Sequence, residues 1–341
     1  MKIHYPLSHQ SHYPPFEILD GGEKTPSYEI PARLEQILFS LRKTNWAEIE
    51  PAQDLGLEPI IAVHDQEYVD FLRTAFDLWT VEESNYEHSA LTPATFPPGG
   101  LRRIPKSVLG KAGFYMMDLS APIGAGTYQA ALQSSYCALA GTNSLETGEK
   151  SAFALCRPPG HHAGKANCGG YCYLNNASIA ANQLSRSGRV ALLDIDYHAG
   201  NGTQEIFYER SDVFTLSIHA NPEYEYPYFA GYKDEKGINA GEGFHQNYPL
   251  PFGIEDDDYL EVLAEALSQI SQFKPAFLVL SLGMDICKGD PIGKFKITRN
   301  GLHKIGKEIE SLHVPILAVL EGGYNLNELG DDVVALISEF I

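Results

Sequence analysis

The stretch that decides the fold is Val190–Thr203, with the sequence VALLDIDYHAGNGT. Residues 190–195 form a short, apolar, β-branched-rich run, which predicts a buried strand. Residues two apart on an extended chain point the same way, so Asp196 and His198 can face one metal ion together, with Asp194 deeper on the same face. Two glycines follow and let a ligand approach the backbone closely. Taken alone, this pattern is equally typical of a strand that ends in a polar turn.

Composition and charge limit the function classes. The chain has 341 residues, of which 44% are apolar and 20% charged, as in a globular protein with one large or two smaller domains. No apolar run approaches the roughly 20 residues of a membrane helix, and the first residues lack the apolar core of a signal peptide. We therefore expect a cytoplasmic protein. The formal net charge of −19 argues against nucleic acid and anionic membranes as partners and suits a cationic substrate, although many acidic proteins have no such role.

The cysteines point to a reducing compartment. There are five of them, an odd number without paired CxxC spacing, which predicts reduced and mostly buried thiols. A zinc site at Cys168 and Cys172 is the less favoured alternative.

Hydrophobic periodicity predicts strands and helices that alternate along most of the chain. Strands are expected at the start of 60–72 and at 152–156, 190–195, 213–218, 276–282 and 315–320. Helices are expected at 31–44, in the rest of 60–72, and at 129–143, 176–185, 202–208, 256–273 and 301–312. This alternation predicts an α/β fold with a mostly parallel central sheet and helices on both faces, in a single domain that spans 1–341.

The segment of about 79–128 departs from this pattern, because proline and glycine interrupt it repeatedly. It predicts a large inserted loop near the active-site mouth, which could also form a subunit contact. A plain solvated insertion is the alternative.

Four predicted strands end in residues that can carry chemistry. They lead into Arg157–His162, Asp196–His198, Gly283–Asp285 and Glu321–Tyr324. Since sites in such sheets form beyond the carboxyl ends of the strands, we expect the four segments to converge. Two aspartates and one neutral histidine would balance a divalent ion and leave coordination positions open, as a catalytic metal requires. Zinc is favoured, with iron(II) or manganese as alternatives.

Five further side chains complete the expected chemistry. The adjacent His161 and His162 can supply an acid and a base, although buried structural histidines are the alternative. Asp194 is placed to orient one of them, and Asn201 could hold the other. Tyr324 follows two glycines and can donate a hydrogen bond to a developing oxyanion. On its own, the same sequence would be an ordinary turn.

Five segments, in order, resemble the motifs of the arginase-like deacetylase superfamily: histone deacetylases, acetoin-utilisation proteins and acetylpolyamine amidohydrolases. They are RPPGHH (157–162), GGYCYLNNA (169–177), DIDYHAGNGTQEIFY (194–208), LSLGMD (280–285) and LEGGY (320–324). His64–Asp65, with Tyr68, resembles an early segment of the same family. The resemblance covers nearly the whole chain and implies the arginase/deacetylase fold.

The resemblance implies a role for each site residue. Asp196, His198 and Asp285 would bind zinc. His162 would act as general base on the attacking water, beside His161 as an electrostatic or acid partner. Tyr324 would polarise the amide carbonyl together with the metal.

It also implies two neighbouring sites. Gly170 and Tyr171, with Tyr226 across from them, resemble the walls of an acyl-chain tunnel. A second group of residues resembles the family's inner monovalent-cation site, which usually binds potassium: Asp194, Asp196, His198, Ser217 and Ile218.

Within the superfamily, the chain resembles the bacterial acetylpolyamine amidohydrolases most. Asn201 stands where aspartate is common in histone deacetylases, and the segment of 96–105 resembles a loop that narrows the mouth and supports a homodimer. The implied activity is zinc-dependent hydrolysis of small acetylated polyamines or diamines, such as acetylputrescine, acetylcadaverine or acetylspermidine, to acetate and the free amine. Alternatives are a protein-lysine deacetylase, a catalytically silent polyamine-binding module, and an arginase-type ureohydrolase, whose two-metal ligand set is not found.

Two departures from the family pattern stand out. Ala199 follows the metal-site histidine where a second histidine is common. Leu109 and Ser120 lie where acids would be expected to meet a distal ammonium. Asp118, Asp20 and Glu17 are the candidate replacements.

Overall fold

The centre of the fold is an eight-stranded sheet in which every neighbouring pair of strands runs parallel. The computed structural model describes residues 1–18, 20–83, 89–97 and 103–341, apart from the side chain of Asp20. The strands are β1 (Lys2–Tyr5), β2 (Glu17–Ile18), β3 (Lys24–Thr25), β4 (Glu48–Pro51), β5 (Ser151–Ala154), β6 (Val190–Asp194), β7 (Val213–Ala220), β8 (His245–Leu250), β9 (Phe277–Leu282) and β10 (Ile316–Leu320). The sheet has the order β4-β1-β5-β10-β9-β6-β7-β8, and β2 pairs with β3 as a separate antiparallel ribbon.

Helices connect the strands and cover the sheet. Those in the described ranges are α1 (Pro31–Leu41), α2 (Glu58–Ile61), α3 (Gln66–Glu82), α4 (Val108–Tyr115), α5 (Thr127–Glu146), α6 (Asn176–Leu184), α7 (Asn201–Phe207), α8 (Asp256–Phe273), α9 (Arg299–Glu310) and α10 (Leu329–Ile337). None of them is both long enough and apolar enough to cross a membrane.

Two apolar layers hold the helices against the sheet. On β6, Ala191 and Leu193 belong to one buried cluster, while Val190 and Leu192 belong to the other. Successive strand residues point to opposite faces, so the alternation shows that both faces of β6 are buried. The first cluster includes residues of α1, α8, α9 and α10, and the second includes residues of α3, α5 and α6. The predicted parallel α/β architecture is therefore confirmed.

One local prediction is wrong, and several strands were missed. The apolar run that begins at Ile60 is not a strand but part of the short helix α2, which has Pro59 in its first turn. A short apolar run fits either element, and proline is well tolerated at a helix start. Strands β1, β4 and β8 were also not predicted. In β8 the sequence HQNYPL is too polar to stand out, although β7 and side-chain contacts bury most of it.

The segment of 79–128 is also more regular than expected, because α4 lies inside it. Ser107 caps this helix by accepting a hydrogen bond from Gly110 N at 3.2 Å. Gly113 packs so closely that a Cβ would lie 2.1 Å from the carbonyl oxygen of Thr95. Gly113 therefore allows close packing of a helix within the predicted loop. Residues 84–88 and 98–102, within the expected mouth loop, lie outside the described residues.

Candidate active site

The four strands predicted to carry chemistry lie side by side in the sheet, in the order β5-β10-β9-β6. Because they are parallel, the segments that follow them meet at one edge of the sheet. This adjacency brings residues from four distant parts of the sequence into one site.

The predicted metal ligands are among the residues that converge there. One ligand atom from each of Asp196, His198 and Asp285 lies within 4.8 Å of the others. Nδ1 of His198 is 3.3 Å from Oδ1 of Asp196 and also 3.3 Å from Oδ2 of Asp285. The three groups thus surround one point with a nitrogen and two carboxylate oxygens, the donor set of a divalent cation.

The surroundings of this triad fit a metal ion. Oδ2 of Asp285 is buried and accepts no hydrogen bond, whereas Oδ1 accepts one from Tyr197 N at 3.0 Å. Burial and the negative charge of Asp196 raise the pKa of Asp285 to about 7. At Gly322 a Cβ would lie 2.3 Å from Oδ2 of Asp285, so the glycine leaves room beside that oxygen. A bound cation would satisfy the free oxygen and relieve the repulsion between the carboxylates.

The two adjacent histidines are held by chemically different partners. Nδ1 of His161 lies 2.9 Å from Oδ2 of Asp194, and Nδ1 of His162 lies 2.7 Å from Oδ1 of Asn201. An amide oxygen only accepts, so Nδ1 of His162 carries the proton and Nε2 keeps its lone pair. Burial, with the positive charges of His161 and His198, holds the pKa of His162 well below its usual value.

The neighbouring imidazole has the opposite tendency. Burial lowers the pKa of His161, but the carboxylates of Asp196 and Asp194 raise that pKa to about 10. The ring centroids of His161 and His162 are only 3.9 Å apart. Two environments that push adjacent pKa values apart provide one charged acid and one neutral base.

Glu321 supports this histidine pair, and no role for it was predicted from the sequence. Its buried Oε2 accepts hydrogen bonds from Gly160 N at 2.6 Å and His161 N at 3.1 Å. On the other side of the same loop, His64 contacts Gly164 O and Asn175 N at 2.9 Å each. The sequence signals were present, since Glu321 begins the EGGY segment and His64 begins the early motif.

Arg33 packs against the ring of Tyr324. It is a second residue for which no role was predicted from the sequence. The guanidinium carbon of Arg33 lies 4.7 Å from the centroid of the Tyr324 ring. Arg33 donates to Gly323 O and to Glu321 O, both at 2.6 Å. Burial raises the pKa of the Tyr324 phenol well above its usual value, although Arg33 opposes the shift. The phenol is therefore protonated and can donate a hydrogen bond.

Arg33 shares a buried carboxylate with a second guanidinium group. Arg33 Nη1 lies 3.0 Å from Oε1 of Glu29, and Nε of Arg157 lies 2.8 Å from the same oxygen. All three side chains are buried.

A cavity of about 650 Å³ opens in front of these groups. The three predicted wall residues, Gly170, Tyr171 and Tyr226, line it together with His162 and Tyr324. The Tyr226 ring centroid is 4.9 Å from that of His162, and the Tyr171 centroid is 5.7 Å from that of Tyr324. Aromatic side chains thus flank the route to the histidine pair.

Of the candidate acids for a distal ammonium, Asp118 lines the cavity. Glu17 is buried instead, and burial raises the pKa of its carboxyl to about 7. The side chain of Asp20 lies outside the described part of the chain. Ser120 donates its hydroxyl to Oδ1 of Asp118 at 2.9 Å, so it supports the acid rather than replacing it.

Of the residues expected at an inner cation site, Asp194 on β6 pairs with Ser217 on β7, while Asp196 and His198 lie just beyond β6. Nε2 of His219 lies 2.9 Å from Gly231 O and so must donate, which makes Nδ1 the acceptor of the Ser217 hydroxyl at 2.7 Å. The lone pairs of Ser217 Oγ therefore stay available to a cation. Binding of potassium by this group, with Ile218, remains a prediction.

All five cysteines are buried and unpaired. Within the described residues, Cys168 and Cys172 do not share a group of three metal-ligating side chains. Cys168 instead contacts the carbonyl of Tyr115. This geometry gives no support to the alternative zinc site.

Comparisons with known proteins identify the family of this chain. The family described as histone deacetylase domain matches residues 27–340. Acetylpolyamine amidohydrolase 1 from Pseudomonas aeruginosa is 43% identical over 341 residues, which cover 98% of this chain and 97% of that protein. Acetylpolyamine amidohydrolase from Mycoplana ramosa is 41% identical over 318 residues, which cover 92% of each chain.

The fold matches a solved structure over its full length. The crystal structure of acetylpolyamine aminohydrolase from Burkholderia pseudomallei superposes with a TM-score of 0.93 at 36% identity. The match covers 100% of this chain and 98% of the other. The resemblance and the deacetylase fold inferred from the motifs are both confirmed.

Proposed function

The chain belongs to the histone deacetylase domain family, and we propose that it is a zinc-dependent amidohydrolase of small acetylated polyamines or diamines. The products are acetate and the free amine. One observation carries this proposal. Three potential metal ligands, two adjacent histidines with chemically different partners and a buried phenol converge at one cavity.

In the proposed mechanism, Asp196, His198 and Asp285 hold the zinc ion. When bound, zinc supplies a Lewis acid for the substrate carbonyl and lowers the pKa of water. Two carboxylates and one histidine leave coordination positions open for these ligands.

The chain's own groups move the protons. His162 accepts the proton of the attacking water at Nε2, because Asn201 keeps the other ring proton on Nδ1. Charged His161, held by Asp194, stabilises the negative charge and gives a proton to the departing amine. The hydroxyl of Tyr324 donates a hydrogen bond to the oxygen of the former carbonyl as negative charge develops there. Both hydrogens of the attacking water end on the amine nitrogen, so amide and water balance as acetate and the ammonium form of the amine, and both histidines return to their starting protonation.

The substrate class follows from the cavity and from the relatives. Tyr171 and Tyr226 provide aromatic faces for a narrow alkyl chain, and such faces also attract ammonium groups. Asp118 adds a carboxylate on the same route. Proteins named acetylpolyamine amidohydrolase are similar over nearly the full length of the chain.

A substrate panel tests the proposal. Acetate release from acetylputrescine, acetylcadaverine and N8-acetylspermidine would be compared with release from an acetyl-lysine peptide, with and without a chelator. We expect metal-dependent release and a higher kcat/KM for the acetylated amines. Preference for the peptide would favour a protein-lysine deacetylase. Binding of acetylpolyamine by the metal-loaded protein without acetate release would favour the silent binding module.

We further propose that the protein is a cytoplasmic homodimer. In this proposal potassium binds at the inner cation site, and the segment of 79–128 lies near the mouth of the active site. Five buried, unpaired cysteines are what a reducing compartment maintains. Phe96 and Ile104 lie near the two ends of the 96–105 segment. Their side chains are 43% and 41% exposed in the single chain, and such exposed apolar side chains suit a subunit contact. Light scattering tests the dimer: the dimer mass is expected, and a monomer mass at micromolar concentration would contradict it.

A further inference from the structure

A lysine stands at the cavity of a protein whose formal net charge is −19. Among the described residues that line the cavity, Lys294 is the single lysine or arginine. Its Nζ lies 2.6 Å from Oε2 of Glu225, and its side chain is 51% exposed whereas that of Glu225 is only 10% exposed. The ammonium therefore sits at the solvent side of a largely buried carboxylate.

The carboxylate of Glu225 is held firmly in place. Besides Lys294, its Oε2 accepts the hydroxyl of Tyr197 at 2.8 Å. The ring of Tyr197 in turn lies 4.9 Å from that of His198, a proposed metal ligand. Nζ of Lys294 also lies 4.4 Å from the centroid of the Phe252 ring. These contacts fix the ion pair on the wall of the cavity.

A second carboxylate on the wall has no such partner. Asp118 accepts hydrogen bonds from Gly170 N, Tyr226 Oη, Ser120 N and Ser120 Oγ, all uncharged donors. No ion pair involves it within the described residues. Tyr226 and Glu225 are consecutive. One short segment therefore carries the carboxylate that pairs with Lys294 and also contacts Asp118, the carboxylate without an ion pair.

We propose that Lys294 is a specificity-determining residue that limits the preference of the enzyme for substrates with several ammonium groups. By pairing with Glu225, it removes one negative charge from the cavity and adds repulsion for a cationic substrate tail. The inference rests on the proposed function, because it concerns the charge on the amine part of the substrate. Partly exposed charges interact weakly, so we expect the effect of one ion pair to be about three- to tenfold in kcat/KM.

The experiment compares Lys294→Gln with Lys294→Arg on three substrates of similar acyl end. N-butylacetamide is neutral, acetylputrescine carries one positive charge and N8-acetylspermidine carries two. For each enzyme, kcat/KM of the charged substrates is divided by that of the neutral one. In Lys294→Gln both ratios should rise, with the larger rise for acetylspermidine, and the rise should shrink in high salt. Lys294→Arg should keep the wild-type ratios.

Two controls isolate the cause. Lys307→Gln makes the same charge change on the exposed side of α9, away from the cavity, and should leave the ratios unchanged. The double variant Glu225→Gln/Lys294→Gln removes both charges and should return the ratios towards wild type. Melting temperatures verify that each variant is folded.

The outcomes separate this inference from the proposed function. If the acetylated amines are hydrolysed but Lys294→Gln leaves or lowers the charge ratios, the inference is wrong and the function stands. If the wild-type enzyme hydrolyses none of the acetylated amines, both are overturned.

Discussion

Asn201 holds His162 through an uncharged group, with the amide Oδ1 2.7 Å from the imidazole Nδ1. This contact fixes the tautomer without adding a negative charge that would raise the basicity of the ring. The adjacent His161 has a carboxylate partner instead, Asp194. A difference of one functional group between the two partners therefore separates the base from the acid.

The first prediction concerns this amide. Asn201→Ala removes the acceptor that keeps the proton on Nδ1, so we expect kcat to fall by about 10- to 100-fold with little change in KM. Asn201→Asp keeps an acceptor at the same place and should retain more turnover than the alanine variant. Steady-state kinetics with acetylputrescine measure both effects. Equal losses in the two variants would show that the acceptor is not what matters.

The second prediction concerns the phenol of Tyr324. Tyr324→Phe removes only the hydrogen-bond donor to the developing oxyanion, so kcat should fall by about 10²- to 10³-fold. Zinc content should stay at the wild-type level, because the phenol is not among the three ligands. Elemental analysis of the purified variant accompanies the rate measurement. A rate near that of wild type would remove Tyr324 from the mechanism.

The third prediction concerns the buried cation beneath that phenol. Arg33→Met removes the donor to Gly323 O and Glu321 O and leaves Glu29 with less positive charge around it. Two buried carbonyl oxygens then lose their donor, which costs about 1–3 kcal/mol of unfolding free energy each, while Arg157 still pairs with Glu29.

Urea denaturation measures this loss. The matched control is Arg73→Met, which breaks an ion pair between side chains that are 55% and 44% exposed and should cost less than about 1 kcal/mol. Similar losses in the two variants would contradict a special role for the buried guanidinium.

The fourth prediction concerns pH and Glu17. Burial raises the pKa of its carboxyl from 4.5 to about 7 in the folded chain. Between these values the folded protein keeps a proton that the unfolded protein has released, so this group lowers stability as pH rises. The side chain of Glu17→Gln cannot titrate. The free energy of unfolding of this variant, relative to that of wild type, should therefore rise by about 2–3 kcal/mol between pH 4.5 and 7, and the difference should stay nearly constant at higher pH.

Denaturant melts of both proteins across this pH range test the fourth prediction. Glu48→Gln, on an exposed strand position, serves as the control and should run parallel to wild type. A constant difference between the Glu17 variant and wild type would show that the carboxyl does not titrate in this range.

Local sequence was sufficient to predict the parts of the fold that carry the site. Buried parallel strands are short continuous apolar runs, and the polar residues that end them stand out, as at Asp194–His198. The ligands, the histidine pair and the tyrosine were found because each lies in the polar segment that follows such a run. Strand β8 has no apolar run, and α4 contains glycines, so periodicity failed for both.

The supporting residues were missed because they depend on contacts between distant positions. Arg33 and Gly323 are 290 residues apart, and Glu225 and Lys294 are 69 apart. No spacing rule connects such pairs. A partial signal existed for Arg33, since position 33 lies four residues before Ile37 on the apolar face of α1. A charged residue on that face indicates a buried partner, but not which one.

Zinc binding by wild type and by Asp285→Asn tests the central claim most directly, namely that three side chains from two distant segments hold one catalytic cation. Calorimetry and elemental analysis should give one zinc per wild-type chain, with acetate release lost on chelation and restored by zinc. The variant should bind zinc at least about 100-fold more weakly. Without metal it should melt higher than metal-free wild type, because Asp196 no longer faces a second carboxylate. Equal zinc affinity in the two proteins, or full acetate release by metal-free wild type, would contradict the account.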